Sequence, residues 1–475
     1  MRLTDPPAKT RLASAVAGIL DGLGLPLEDP AGTLRFTGDD PVVPSSFRIG
    51  TAAAVALAAS ATMAAALHRL RGGPPQTVEV DLAHAVTECR SERYLRVDGG
   101  PAPELWDPLA GIYACGDGGF VRLHTNFPHH RDGILRLLSC APDREAVAAA
   151  MLAWPAAGFE AAATAAGLPV AAMRSFPEWD ATEQGRATAR QPLIGLRRAG
   201  AAGHRRLPIG SRPLSGIRVV EMTRIIAGPV CGRALAGHGA EVLRLIGPSV
   251  PTITALDMDT GHGKRSAWID LADPTGCDRL HELLATADVF VQSYRPGSLD
   301  RHGFGPDETL ARHPHLVYAS LSAYGPEGPW ATRRGFDSLV QTATGFNHAE
   351  ARAFGAQEPR ALPAQILDHA SGHLLALGVM AALARRMAEG GAWRVDVSLA
   401  RVGHWLRSLG PVPDGVTAAD HAAEAAPGFL EEVSSGYSRL SRVRPAARLS
   451  KTPIRFSLPS SPYGADEAAW QRAGG

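Results

Sequence analysis

Residues 216–246 constrain the fold more than any other part of the chain. Gly216 to Met222 (GIRVVEM) is a short apolar run with strand character. Ala227-Gly228-Pro229 breaks it, and the proline suits the first turn of a following helix. Leu235 to Ala240 (LAGHGA) closes that helix on glycine, and Glu241 to Ile246 (EVLRLI) reads as a second strand. A strand, a helix and a strand in this order form a βαβ unit, which requires a parallel sheet covered by helices. The expected class is therefore α/β.

The turn after the first strand lacks the GxGxxG pattern, which argues against a dinucleotide pyrophosphate there. Cations follow instead: Lys264-Arg265, Arg295 and Arg301. In loops after parallel strands they suit a phosphorylated ligand at the carboxyl edge of the sheet. Solvated surface charges are the plainer reading of any one of them, since Lys and Arg are mostly exposed.

Taken in order, the motifs resemble the family III CoA-transferases, the group of formyl-CoA and carnitine-type transferases. The matching pieces are Val219 to Pro229, Gly239-Ala240-Glu241-Val242, Gly263-Lys264-Arg265-Ser266, Asp288-Val289-Phe290, Arg295-Pro296-Gly297, Leu316-Val317-Tyr318, Ser322-Ala323-Tyr324-Gly325 and Gly328-Pro329. Each piece is weak alone, but their order and spacing from about residue 212 to about residue 402 are specific. The resemblance implies an open parallel Rossmann-like sheet with flanking helices plus a smaller α+β domain. It also implies CoA or acyl-CoA as substrate, with no permanently bound cofactor.

Asp368 lies in Gln365-Ile366-Leu367-Asp368-His369-Ala370-Ser371-Gly372, ahead of an apolar helical stretch, and matches the family's catalytic aspartate. A carboxylate can attack a thioester carbonyl and expel CoA thiolate, which leaves a mixed anhydride; the thiolate then returns to give an aspartyl-CoA thioester. A helix N-cap is the plainer role for an aspartate at such a place, and the two roles are compatible. His369 and His373 are read as packed or surface histidines. The resemblance places Ile225, Ile226, Ser293, Tyr294, Arg295, Arg301 and Arg334 around CoA, together with Lys264 and Arg265 as phosphate ligands. Asp337 matches an acidic position near the nucleophile, as a structural acceptor or as a catalytic partner. Ile226 stands where a formyl-CoA transferase has an amide, which suits a more apolar acyl group or simple packing. The branch that racemises 2-methylacyl-CoA thioesters has a histidine where Phe336 stands, so racemisation is disfavoured. His348 keeps it as a weak alternative.

The chain departs from the family outside this region. Residues 49 to 83 align without a gap on residues 366 to 400, with Ile49, Leu57, Met63, Arg69, Gly73, Val78 and Val80 on Ile366, Leu374, Met380, Arg386, Gly390, Val395 and Val397. Thr51 falls where Asp368 stands, so the first copy lacks the nucleophile. The expected organisation is a degenerate repeat over 1–95 and a small α+β domain over 96–190, holding a hairpin (Asp107 to Leu123) and a helical run (Arg144 to Ala166). A linker over 191–213, a CoA-binding catalytic domain over 214–410 and a linker and tail over 411–475 complete it. The halves are expected to supply each other's missing parts, within a chain or between chains.

Composition agrees with an enzyme outside membranes. The formal net charge of +1 gives no global field toward nucleic acid or an anionic membrane. The five scattered cysteines form no CxxC pair and suit a reducing cytoplasm. No secretory leader is read in the first twenty residues. The Ala-rich run Thr51 to Leu67 reads as a buried helix rather than a membrane span. His124, His129 and His130 make a weak metal cluster, and no metal is expected. The expected partners are an acyl-CoA and a carboxylic acid, with a homodimer, possibly interlocked, as in the family. A non-catalytic acyl-CoA-binding subunit is the alternative to an enzyme.

Overall fold

The structure is a computed structural model and describes residues 8–25, 34–420 and 427–471. Parts of the expected 1–95 and 411–475 regions, including much of the N-terminal stretch read for a leader, therefore lie outside the described residues.

The largest sheet has seven strands. Six are parallel, in the spatial order Lys264–Trp268, Glu241–Ile246, Arg218–Met222, Val289–Gln292, Val317–Ser322 and Ala392–Ser398. Gly195–Gly200 closes one edge antiparallel to Ala392–Ser398. The central strands are apolar and buried along their length (VFVQ at Val289–Gln292), as expected for strands covered on both faces. The fold is thus mixed α/β with a mostly parallel sheet. The βαβ unit falls where the sequence predicts it, with the helix at Ala227–Gly237. One expectation needs correction: the 191–213 connector is not only a linker, because six of its residues form the antiparallel edge strand. The paired arginines at 197–198 are both exposed and do not prevent ladder pairing.

The repeat is visible as structure. The helix Ile49–Leu70 leads into the strand Val78–Asp81 and the helix Leu82–Glu88; the helix Ile366–Glu389 leads into Ala392–Ser398 and Leu399–Ser408. Even the caps coincide: Asp81 accepts the His84 N–H, and Ser398, at the aligned position, accepts the Arg401 N–H. Val78–Asp81 pairs parallel with Leu34–Thr37 and antiparallel with Arg448–Leu449. This repeats, in three strands, the parallel and antiparallel neighbours of Ala392–Ser398. The two long helices are apolar enough and long enough to cross a membrane, yet they pack on each other inside the molecule, their apolar faces enclosed by protein.

An antiparallel sheet of Gly111–Ala114, Phe120–Leu123 and Val170–Ala172 carries its own apolar core, with Tyr113, Val121, Val147, Met151 and Phe159. The helical run expected over Arg144 to Ala166 is two helices, Arg144–Met151 and Ala156–Ala165. Pro155 lacks the N–H needed to continue the first and caps the second. The tail returns to both halves: Leu430–Ser434 and Arg439–Val443 join Arg96–Val97, while Asp466 meets Arg265.

Candidate active site

Asp368 occupies the third position of the helix Ile366–Glu389 and is buried. It is not the cap of that helix. The capping role falls to Asp337, the first residue of the helix Asp337–Thr344, whose Oδ2 accepts the Asp368 backbone N–H at 2.9 Å. A carboxylate brought from another element thus satisfies a donor that the helix leaves open. The degenerate copy has the same device: Asp40 Oδ1 accepts Gly50 N–H at 2.9 Å, and Oδ2 accepts Thr51 N–H at 2.9 Å and the Thr51 hydroxyl at 2.7 Å.

Burial pushes the Asp368 carboxyl well above its ordinary range, and the charges of Asp337 and Glu92 push the same way. Burial also raises Asp337, against the pull of the Asp368 N–H and Gln341. Glu92, from the helix Ser91–Tyr94, reaches across to His369 Nε2 at 3.1 Å. Burial opposes its charge, but this histidine holds it ionised and on balance below the ordinary value.

Two cavities meet at Asp368. The first, of about 310 Å³, holds Ile225, Ile226, Ser293, Tyr294, Arg295 and Arg301, and also Arg334 and the C-terminal end of Val317–Ser322. Seven of the residues expected around CoA are therefore brought together at the carboxyl edge of the parallel sheet. Arg224, which the sequence reading missed, joins them; it donates to Pro251 O at 2.9 Å and lies over the Phe127 ring. Burial lowers the Arg334 guanidinium, and the charges of Arg295 and Arg224 lower it further; its Nε is buried without a partner. Cations crowded in this way favour an anion between them. The N-terminus of the helix Ala227–Gly237 lines the same cavity and adds backbone N–H groups and the positive end of its dipole. Ile225 makes the turn into that helix with φ +74°, a left-handed conformation that a β-branched residue adopts only under strain.

Lys264 and Arg265 correct the sequence reading, since neither lines this cavity. Lys264 is fully buried beneath the helix Ala227–Gly237, where Nζ meets Glu221 Oε2 at 2.8 Å and Pro229 O at 2.7 Å. Burial lowers its pKa to about 8 against the pull of Glu221. Arg265 alternates to the other face of its strand and pairs with Asp466 at 3.2 Å.

The second cavity, of about 260 Å³, is shared between Leu105, Trp106, Arg122 and His124 of the first half and Ile253, Leu256, Asp337 and Leu362 of the second. Ile225, Ile226, Phe336 and Asp368 belong to both cavities. His124 stacks on Phe336 with ring centroids 3.7 Å apart, and burial lowers its pKa to about 3, so the imidazole is neutral. His348, on the helix Phe346–Ala353, lines neither cavity. Among the described residues no cluster of His, Cys, Asp and Glu is arranged to hold a metal ion. The first-half residues were beyond the sequence reading because only tertiary docking brings them near Asp368.

A buried carboxyl thus lies at the junction of a cationic cavity and a second cavity lined by both halves of the chain. The profile of CoA-transferase family III matches residues 214–411. An acyl-CoA transferase of Gibberella moniliformis is 30% identical over 411 residues, 77% of this chain and 72% of the relative. An acetyl-coenzyme A transferase of Hypoxylon pulicicidum is 37% identical over 42% of this chain and 34% of its own length. A succinate–glutarate CoA-transferase of Agrobacterium fabrum is 30% identical over 41% of this chain and 52% of its own. A crystal structure from Mycobacterium tuberculosis is 34% identical over 42% of this chain and 58% of its own, with a TM-score of 0.38. The chain belongs to CoA-transferase family III. It spans about a third of the length of the Hypoxylon relative and about half that of the Agrobacterium one.

Proposed function

We propose that this protein is a CoA-transferase that moves CoA from an acyl-CoA thioester to a carboxylic acid, with Asp368 as covalent nucleophile. Asp368 Oδ attacks the thioester carbonyl, the C–S bond breaks, and CoA leaves as thiolate beside an aspartyl-acyl anhydride. The thiolate attacks the aspartyl carbonyl and releases the first acid as carboxylate, leaving an aspartyl-CoA thioester. A second carboxylate repeats the sequence in reverse and leaves as its CoA ester, which restores the Asp368 carboxylate. Arg224, Arg295, Arg301 and Arg334 would hold the phosphates of CoA, and the cavity between the halves would hold the acyl group. The observation that carries this reading is Asp368 at the point where the two cavities meet.

On this reading residues 214–410 with their edge strand are a Rossmann-like CoA-binding domain, and residues 96–190 are the small domain that closes over it. The site is lined by both halves of one chain, so a second copy is not required to line it; the dimer expected of the family and a cytoplasmic location belong to the same proposal. The test is trapping. After incubation with an acyl-CoA, hydroxylamine or borohydride should leave a mass adduct on the wild type and none on Asp368→Asn. CoA binding without any adduct, across short and long acyl donors, would replace the transferase with a binding protein.

A further inference from the structure

The sheet of the first half opens at its carboxyl edge on a cavity of its own. The parallel strands Leu34–Thr37 and Val78–Asp81 end at Thr37 and Asp81, and both residues line a space of about 870 Å³ that the returning tail completes. This volume lies within the ~300–1,000 Å³ usual for a small-molecule site, and the carboxyl ends of parallel strands are where open α/β sheets place ligands. The tail brings four guanidiniums to the cavity: Arg442, Arg444, Arg448 and Arg455.

The carboxylates at this cavity are committed elsewhere. Asp81 Oδ1 accepts the His84 N–H at 2.9 Å, and its Oδ2 accepts the Thr37 hydroxyl at 2.7 Å. Glu431 Oε1 accepts Arg442 at 2.7 Å. Glu79, opposite Arg448 in the ladder, pairs with Arg35 at 3.4 Å. Among the described residues no carboxylate pairs with Arg444, Arg448 or Arg455, and the first of them donates to Gly428 O. Arg442 is buried, with its guanidinium 4.7 Å from the Phe456 ring centroid and its Nε without a hydrogen-bond partner. The wall is held in place: His84 Nε2 lies 2.9 Å from Arg444 O, and its ring stacks on Phe429 with centroids 4.3 Å apart. Like charges around one concavity repel, and an anion among them relieves that cost. Several guanidiniums around one space match the many oxygens of phosphates better than a single carboxylate. We propose that this cavity is a second ligand site, for a phosphate-bearing small molecule. It shares no lining residue with the cavity that holds Arg295 and Arg301, so it stands whether or not Asp368 is a nucleophile.

Calorimetric titration of the full chain with pyrophosphate and with ADP tests this. Because the cavity at Asp368 is cationic too, the titrations are made in the wild type and in an Arg295→Met/Arg301→Met background, each with and without Arg448→Gln/Arg455→Gln. Arg448 and Arg455 are exposed, so their replacement should leave the ligand-free unfolding midpoint where it is. In the background the two glutamines should weaken pyrophosphate binding by about 10- to 100-fold, as loss of charge-assisted hydrogen bonds does. In the wild type they should remove one bound pyrophosphate per chain. ADP bound more tightly than pyrophosphate would make the ligand a nucleotide, and equal binding would make the phosphates sufficient; either supports the site. No binding of either probe to the background, or binding unchanged by the two glutamines, overturns the proposal. Should the background fail to fold, the wild-type stoichiometry decides, and one that the glutamines leave unchanged overturns it equally.

Discussion

Thr51 and Asp368 sit at equivalent positions of two similar helices, each held by a carboxylate from outside the helix, and differ in one functional group. At position 51 the hydroxyl donates to Asp40 and the pair is satisfied. At position 368 a second carboxyl faces Asp337 instead, and burial makes it costly for both to ionise. The folded protein therefore binds protons that the unfolded chain releases. A carboxyl with a raised native pKa destabilises the fold as pH rises from the ordinary carboxyl range, about 4, toward the raised native values. Asp368→Asn removes this titration. Thermal unfolding at constant ionic strength should show the variant gaining on the wild type from pH 4 to pH 8, with little difference at the acid end; a parallel offset at every pH would refute the coupling. The same variant should lose at least about 10³-fold in turnover, as removal of a covalent nucleophile does. On the proposed reading Arg295→Met and Arg301→Met affect binding instead. Each should raise KM for acyl-CoA by about 10-fold with kcat little changed, if the contact they make is the same in ground and transition states.

Among the elements, the helix Ile366–Glu389 has to meet the helix Ala227–Gly237 closely enough to bring Asp368 beside that helix's N-terminus. Gly372 is the contact. A Cβ there would fall 2.6 Å from Ala227 O and 2.7 Å from Val230 Cβ, so the helices would have to separate. Gly372→Ala should cost about 1–3 kcal/mol in denaturant unfolding, the usual cost of overpacking, and should lower turnover by displacing the carboxylate from the cavity. An unchanged midpoint would mean that the two helices yield freely. Local pattern made these elements legible in the sequence: the βαβ unit, the Ala-rich and Leu-rich long helices and the repeat between them are written in apolar periodicity and glycine breaks. Asp368 and the cations at 295, 301 and 334, which line one cavity, were singled out by resemblance. Lys264 was misread because a charged residue on a strand carries no mark of whether it meets solvent, a ligand or, as here, Glu221. Asp337 as a cap, Glu92 against His369, and Trp106 and Arg122 in the cavity depend on which surfaces dock, and no window of sequence encodes that.

For the whole molecule, the first half is structural cover as well as a source of site residues. The helix Ile49–Leu70 lies against the Asp368 helix, and its removal would open a long apolar face to water. Polar ties follow the same seam: Glu350 accepts Ser45 Oγ at 2.9 Å and Ser46 N–H at 2.9 Å, Ser91 donates to Asp259 Oδ2 at 2.7 Å, and Glu92 holds His369. A fragment of residues 212–475 would keep the Arg233–Asp259 pair but would leave Glu350 and His369 without their first-half partners and the second cavity without Trp106 and Arg122. Expressed alone it should be aggregated or, if soluble, unable to form the Asp368 adduct. Co-expression with residues 1–211 should restore both solubility and adduct, because the interface joins the apolar faces of the two long helices and satisfies buried polar groups beside them. A soluble and fully active 212–475 fragment would show that the seam is a tether rather than part of the site, and would transfer the whole chemistry to the second half.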